Sequence, residues 1–291
     1  MTMITKPVSQ TEFAARSVNI DTRDAPRHWM GGDVFKTRFF DALSALFPDG
    51  ERFFIETARA FRDDVSDPLL KKQLKEFIRQ EGQHGKEHTQ FNDRLRAQGV
   101  DIDAINDRGK RILGFYLKHL NPKSALALTV MFEHMTAIMG HTFMANQALF
   151  DQADPKVRAL FQWHAVEEIE HKAVCYDIYQ TTAQGGYLRR VLVGLWATFD
   201  FQLVILLIMT RMLKQDGQNN LSTWRKGLSW LYGKKGILRP MIPLYFAYYR
   251  RDFHPDQLAP PMQWQQWLDV YKRGEGALAA SEAVWRNANP A

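Results

Sequence analysis

The residues able to do chemistry are concentrated in two short runs. In His164-Ala165-Val166-Glu167-Glu168-Ile169-Glu170-His171, His164, Glu168 and His171 stand at i, i+4 and i+7, which places them one above another on a single helical face. Leu160 and Phe161 one turn earlier, and Val174, Cys175 and Ile178 one and two turns later, make that face apolar. Two imidazoles and a carboxylate in such a setting are costly to bury alone and form a ligand set for a divalent metal. The second run, Glu81-Gly82-Gln83-His84 with His88 following, repeats the idea upstream.

The elements that must position these runs read as helices almost throughout. Apolar residues recur with a period of 3.6, and alternating β-branched runs are few. Asp33 to Phe47 is a first apolar helix, and Pro48-Asp49-Gly50 is expected to break it; a second helix then runs from about Glu51 to Val65. Asp67-Pro68, Asn121-Pro122 and Asp154-Pro155 each combine a capping side chain with proline at the first helical position. They open expected helices of 68–97, 122–150 and 155–182, and Gly185-Gly186 closes the last.

Polar intruders mark the inward faces. Glu81, His84 and His88 interrupt the stripe Leu70, Leu74, Phe77, Phe91, Leu95; Glu133 interrupts Leu126, Val130, Ala137, Gly140, Met144; Glu51 precedes Phe54, Ile55 and Ala58. At 1.5 Å rise per residue, Glu51 and Glu81 both lie ~20 Å from the turn they share, and Glu133 and Glu168 lie ~25 and ~20 Å from theirs. Two antiparallel hairpins would therefore bring four carboxylates to one level. A single Glu on two helices and Glu-x-x-His on the other two is the arrangement of bundles that hold two iron or manganese ions.

The run Phe47-Pro48-Asp49-Gly50-Glu51-Arg52-Phe53-Phe54, with Gln80-Glu81 and His84, and Trp163-His164 through Glu168 to His171-Lys172-Ala173-Val174, resembles a bacterial family of predicted metal-dependent hydrolases over roughly residues 30 to 250. The ligand spacing, with the extra His164, is also similar to that of di-iron arylamine N-oxygenases. These resemblances imply metal roles for Glu51, Glu81, His84, Glu133, His164, Glu168 and His171. They imply an all-α fold, a ferritin-like four-helix bundle with additional C-terminal helices. The expected division is an N-terminal arm over 1–32, the di-metal bundle over 33–183, and an extension over 184–291 packed on it as part of a single domain. His88 is open between an outer donor, an extra ligand and an ordinary polar residue. Glu87, Glu167 and Glu170 read as exposed or outer residues and His134 and His141 as ordinary polar ones, and His28, His119 and His254 fall outside these faces.

Composition sets the frame. The 291 residues, 45% hydrophobic and 24% charged, can bury a sizeable core. A single cysteine, Cys175, excludes an internal disulfide and fits a reducing cytoplasm; it is expected as a small buried side chain near the site. Residues 1–33 show no apolar signal core and read as a poorly ordered arm. The net charge of +6 comes largely from residues 217–251, with seven Lys or Arg and no acid. No nucleic-acid motif accompanies them. Val191 to Thr210 is long enough to span a bilayer, but Asp200 at its centre favours a helix packed on the bundle or paired with a second subunit. The aromatic and basic mixture of 224–251 suits either a packed hairpin or peripheral contact at the inner membrane.

The leading functional expectation is an oxidoreductase in which two ferrous ions activate dioxygen to oxidise an apolar or amine-bearing substrate, with Ala137 and Gly140 leaving room at the open face. Glu51, Glu81, Glu133 and Glu168 would hold and bridge the ions. A partner reductase would supply electrons, since no nucleotide fingerprint is present. The alternative is a hydrolase loaded with manganese or zinc, with hydroxide held between two divalent ions as nucleophile. Metal storage or sensing is a third class, disfavoured by the large apolar extension.

Overall fold

The computed structural model describes residues 8–289. Among them there is no strand; an isolated bridge between Met30 and Ala153 is the only extended pairing. The fold is all-α. Four long helices form two antiparallel hairpins: α1 (Val34–Arg59) with α2 (Pro68–Ala97), and, after α3 (Ile102–His119), α4 (Pro122–Ala145) with α5 (Pro155–His171). Contacts of α1 with α4 and of α2 with α5 close the bundle. The chain continues through α6 (Val174–Asp177), a π-helical turn (Ile178–Thr182), α7 (Tyr187–Gln215), α8 (Leu221–Tyr232), α9 (Met241–Ala247), α10 (Met262–Val270) and α11 (Gly276–Ala288). α7 packs on α4 and α1, and α11 packs on α5.

The predicted start signals act as expected. The side chain of Asp67 accepts the N–H of Leu70, Asn121 that of Ser124, and Asp154 those of Lys156 and Val157, each followed by proline. Other expectations are corrected. Pro48-Asp49-Gly50 does not end a helix, because α1 runs straight through it. Proline removes one N–H, so the carbonyl of Ser44, four residues earlier, loses its helical partner. Asn92 Nδ2 on α2 supplies a replacement at 2.9 Å. α1 then ends at Arg59, and consecutive turns over 60–65 keep the chain rising, so the predicted level of Glu51 survives. α4 gives way at Ala145 to a 3₁₀ turn, Gln147–Phe150. The expected 155–182 helix is interrupted at Lys172 and Ala173, and Gly274 and Gly276, both at positive φ, separate α10 from α11.

Residues 8–33 are not a loose arm; the first seven lie outside the described residues. The N–H of Ser9 donates to Asp177, and Trp29, 1% exposed, lies against Phe40, Phe91 and Phe161. The indole N–H of Trp29 donates to Asp41, which also accepts from Arg38 and Arg94, and Arg38 in turn donates to Asp216 at the end of α7. Arg38, Asp41 and Arg94 are all buried.

The apolar core comes in two parts. One gathers around Phe40, Phe91, Phe150, Phe161 and Trp163, and the other around Phe53, Phe77, Leu126, Val130 and Ile178. Along α1, α2 and α4 the boundary between them falls at the polar intruders of the sequence.

Removing one member of a buried ion network strands its partners without solvent. Asp41→Ala should therefore cost about 3–5 kcal/mol and lower the melting temperature by on the order of 10 °C. Asp63→Ala, at a side chain 85% exposed, should leave it almost unchanged. Thermal unfolding of the two variants checks this.

Candidate metal centre

Every residue of α5 from Val157 to His171 is buried, and so is most of α4. These helices sit inside the molecule on all sides, and their polar side chains must find partners within it. Glu51 on α1, Glu81 and His84 on α2, Glu133 on α4, and His164, Glu168 and His171 on α5 are each at most 4% exposed. All seven predicted ligands meet at one place. His171 Nε2 lies 3.2 Å from Glu81, 3.3 Å from Glu133 and 3.5 Å from Glu168. His164 Nε2 lies 2.9 Å from Glu168 and 3.9 Å from Glu51, and His84 Nδ1 lies 3.6 Å from Glu168 and 3.7 Å from Glu81. Two groups of ligand atoms, those of Glu51, His84 and His164 and those of Glu81, Glu168 and His171, each lie within 4.8 Å of one another.

Apart from His164 Nε2 and Glu168 Oε1, which bond each other at 2.9 Å, the atoms that face this point lack hydrogen-bond partners. Both carboxylate oxygens of Glu51, Glu81 and Glu133, one of Glu168, His84 Nδ1 and His171 Nε2 are buried and unsatisfied. Groups left this way in a folded interior are destabilising unless something bonds them. Four carboxylates carry four negative charges, which two divalent ions would cancel. The donor set, oxygen and imidazole nitrogen without thiolate, suits iron, manganese or zinc.

The outward atoms are all engaged, which fixes the tautomers. His84 Nε2–H donates to Glu167 at 3.0 Å, and His171 Nδ1–H donates to Gln80 Oε1 at 3.0 Å, leaving the inward nitrogens with free lone pairs. His164 Nδ1 meets His88 Nε2 at 2.7 Å, His88 Nδ1 meets Ser44 Oγ at 2.8 Å, and Ser44 Oγ–H donates to Asn92 Oδ1. With Ser44 donating onward, the chain runs one way: His164 donates to His88, and His88 donates to Ser44. His88 thereby orients His164 by accepting from it, rather than as the outer donor that the sequence left open. Arg16, from the N-terminal segment, closes over the outer acids, donating to Glu167 and twice to Glu170 at 2.6–3.2 Å, while Gln80 Nε2 also donates to Glu170. Glu167 and Glu170 are buried and belong to this outer layer. Gln80, Ser44, Asn92 and Arg16 are additions to the sequence-derived set. Gln80 adjoins a ligand in sequence, but nothing local marks the other three.

Burial and mutual repulsion shift the titration of the cluster. Burial, then repulsion from Glu168 and Glu133, holds Glu51 well above the ordinary carboxylate range. Burial and Glu133 do the same to Glu81, and burial raises Glu133 to about 7. Burial opposes a charge on His171, yet Glu168, Glu133 and Glu81 outweigh it and raise the imidazole well above its usual value. Burial likewise pushes Glu168 up, but His171 and His164 pull it well below. Burial and the neighbouring His164 hold His84 and His88 well below theirs, so both are neutral rings. Cys175 is buried, its thiol is raised by burial, then by Glu133, and it belongs to neither group of ligand atoms.

A cavity reaches the cluster from one side. Glu51, His164 and Glu168 form its floor, and its walls come from α1 (Leu46, Phe54), α3 (Ile105, Ile112), α4 (Phe132, Met135) and the inner face of α7 (Phe201, Val204). Ala137 and Gly140 do not supply this room. Ala137 lines a separate cavity with His134, Lys172 and His254, and a Cβ on Gly140 would meet the carbonyl oxygen of Ala165 at 2.9 Å, so this glycine serves close packing of α4 on α5.

Two predictions arise. Groups with raised folded values (Glu51, Glu81, Glu133, His171) favour the metal-free fold at low pH, and that contribution is lost as pH rises through those values. Chelator-treated protein should thus melt at a falling temperature between about pH 5 and about pH 8, while metal-loaded protein should hold or gain, because metal replaces the protons. Paired melting curves test the sign. His88→Ala, which frees the His164 ring, should weaken one of two metal equivalents about 10–100-fold and leave the other in place, measured by chelator competition.

Comparison with curated proteins and with solved structures finds no significant match. The likeness to arylamine N-oxygenases therefore rests on ligand spacing alone. A family profile, described as predicted metal-dependent hydrolase, matches residues 14–259, which contain every residue of the cluster and its outer layer. The chain belongs to that family of predicted metal-dependent hydrolases.

Proposed function

We propose that the bundle is a ferritin-like dinuclear metal centre that oxidises an apolar organic substrate. The observation that carries this reading is the cavity whose floor is Glu51, His164 and Glu168 and whose walls are almost entirely carbon. Of the other polar side chains lining it, Thr136 is bonded to its own helix at Glu133 O, Asp200 is held by Tyr116, and Arg108 and Arg211 are exposed.

The protein's residues would do four things. Glu51, Glu81, Glu133 and Glu168, with His84, His164 and His171, would hold two cations. Glu167, Gln80 and His88 keep those rings aimed inward. Phe54, Ile112 and Phe132 exclude water and place an apolar substrate over the floor. When bound, two ferrous ions would supply one-electron chemistry and a position for dioxygen. Electrons would come from a separate reductase.

The family's description favours a second reading, hydrolysis by the same dinuclear centre. Oxygen uptake separates the two. Iron-loaded protein with a chemical reductant should consume dioxygen, and Glu168→Ala should abolish this and release metal. Phe132→Trp, which narrows the cavity, should lower kcat/KM for apolar substrates at unchanged metal content. Absence of uptake, together with ester or phosphoester cleavage by manganese- or zinc-loaded protein under strict anaerobiosis, would replace oxidation by hydrolysis.

A further inference from the structure

α7 has two apolar faces; one is buried in the molecule, and the other is largely exposed, touching α3 where the Trp196 indole N–H donates to Tyr116 at 3.2 Å. Its inner face packs on α4 and α1 through Gly194, Ala197, Ile205, Met209 and Met212 and walls the cavity. Its outer face carries Leu188, Leu192, Leu195, Trp196, Phe199, Leu203 and Leu206, each 40–66% exposed. These positions recur every three or four residues and form one straight stripe ~27 Å long. The exposed apolar area is on the order of 700 Å², more than a monomeric surface ordinarily leaves open. Of the described helices, α7 is long and apolar enough to cross a bilayer, with a mean hydropathy of 2.2 over its most apolar stretch. A crossing would require lipid on both faces, whereas the inner face is committed to the bundle and bears Asp200.

The charges around the stripe select the occupant. Residues 187–251 hold eleven Lys or Arg and only two acids, Asp200 and Asp216. Both acids are already used, Asp200 by Tyr116 and Asp216 by Arg38 and Arg27. The exposed cations include Arg211 and Lys214 on α7 itself and Lys226, Lys234, Lys235 and Arg239 beyond it. A second copy laid face to face would bring like charges together. An anionic lipid surface complements them, and an apolar stripe flanked by cations and carrying a tryptophan is what lies in a bilayer interface. The cavity opens on the same side: α3 and α7 both line it but do not pack extensively on each other, and Phe115 and Leu117 stand exposed on α3.

We propose that the outer face of α7, with its basic flanks, seats the protein in the plane of an anionic bilayer, so that the cavity mouth between α3 and α7 draws its apolar substrate from lipid. The substrate route rests on the proposed reading of the cavity; the seating does not, and it can be measured on metal-free protein.

The test is flotation with vesicles of phosphatidylglycerol and phosphatidylcholine, beside vesicles of phosphatidylcholine alone. Intact protein should float with the anionic vesicles, bind the neutral ones at least tenfold more weakly, and lose binding as salt is raised. Leu192→Glu/Phe199→Glu, at exposed positions, should abolish flotation with helix content and metal content unchanged. Lys234→Ala/Lys235→Ala should weaken it about fivefold per charge. Lipids brominated in the acyl chain should quench tryptophan fluorescence in the intact protein and less in Trp196→Phe. No flotation at low salt would overturn the proposal, as would flotation that the two glutamates leave intact. A dimer in light scattering that the same glutamates dissociate would assign the stripe to a second copy instead. Failure of any of these leaves oxygen uptake by iron-loaded protein unaffected, so the two readings fall separately.

Discussion

Four carboxylates buried within hydrogen-bond range of a common point are the constraint from which the rest of this structure follows. In water such a group would repel itself weakly; in an interior of low dielectric the same repulsion is several times larger. The cluster can relieve it by binding protons or by binding cations. Protons do so imperfectly: the carboxyl oxygens of Glu51, Glu81 and Glu133 keep no hydrogen-bond partner, and His171 must serve as the counter-charge. Two divalent ions would cancel the charge and bond the idle lone pairs at once. The outer layer obeys the same logic at one remove. Glu167 and Glu170 add charge, Arg16 returns some of it, and the ring N–H of His84 takes up part of the remainder.

A proline that appears to interrupt α1 is joined to this arrangement. Pro48 frees the Ser44 carbonyl, Asn92 reaches across from α2 to bond it, and the other end of the same amide receives the Ser44 hydroxyl. That hydroxyl is then oriented to accept from His88, which in turn accepts from His164. A backbone defect in one helix thus sets the direction of a hydrogen-bond chain ending at a ligand on another. It also positions the chain three residues before Glu51. A regular helix through residue 48 would satisfy Ser44 internally and leave Asn92 without its acceptor.

The parts legible in sequence were those encoded locally. Asp67-Pro68, Asn121-Pro122 and Asp154-Pro155 announce helix starts by short-range bonding, and Glu81, His84, Glu133 and Glu168 stand out against apolar stripes. The level argument worked because it needed only rise per residue and hairpin pairing. What failed depended on distant partners. Pro48 reads as a stop unless Asn92 is known to cover for it. The 8–33 segment has no periodicity, since single anchors such as Arg16 and Trp29 hold it. α3 is hard to read from sequence because only Ile102, Ile105 and Tyr116 are buried on it; Ile112 and Leu113 face a cavity that sequence does not reveal, and Phe115 and Leu117 are exposed. Gly140 was assigned to open space on size alone, whereas it is the approach of α5 that requires it.

The position of the cluster also determines where a substrate can enter. The polar band divides the core into two apolar parts along the bundle axis, so neither end offers a path to it. On the α2 and α5 side the outer acids, Arg16 and the ring of Phe13 beside His171 close the approach. The remaining side lies over α1, where α3 and α7 stand as two walls without packing extensively on each other. α7 must therefore be apolar on its inner face to line the passage, and small at Gly194 and Ala197 to lie close to α4. A Cβ at Gly194 would meet Met131 Sδ on α4 at 3.4 Å and the Tyr248 ring, at the end of α9, at 2.9 Å. Nothing in that requirement makes its outer face apolar as well. The second stripe has no cause inside the molecule, and its cause must be sought in what the mouth of the passage faces.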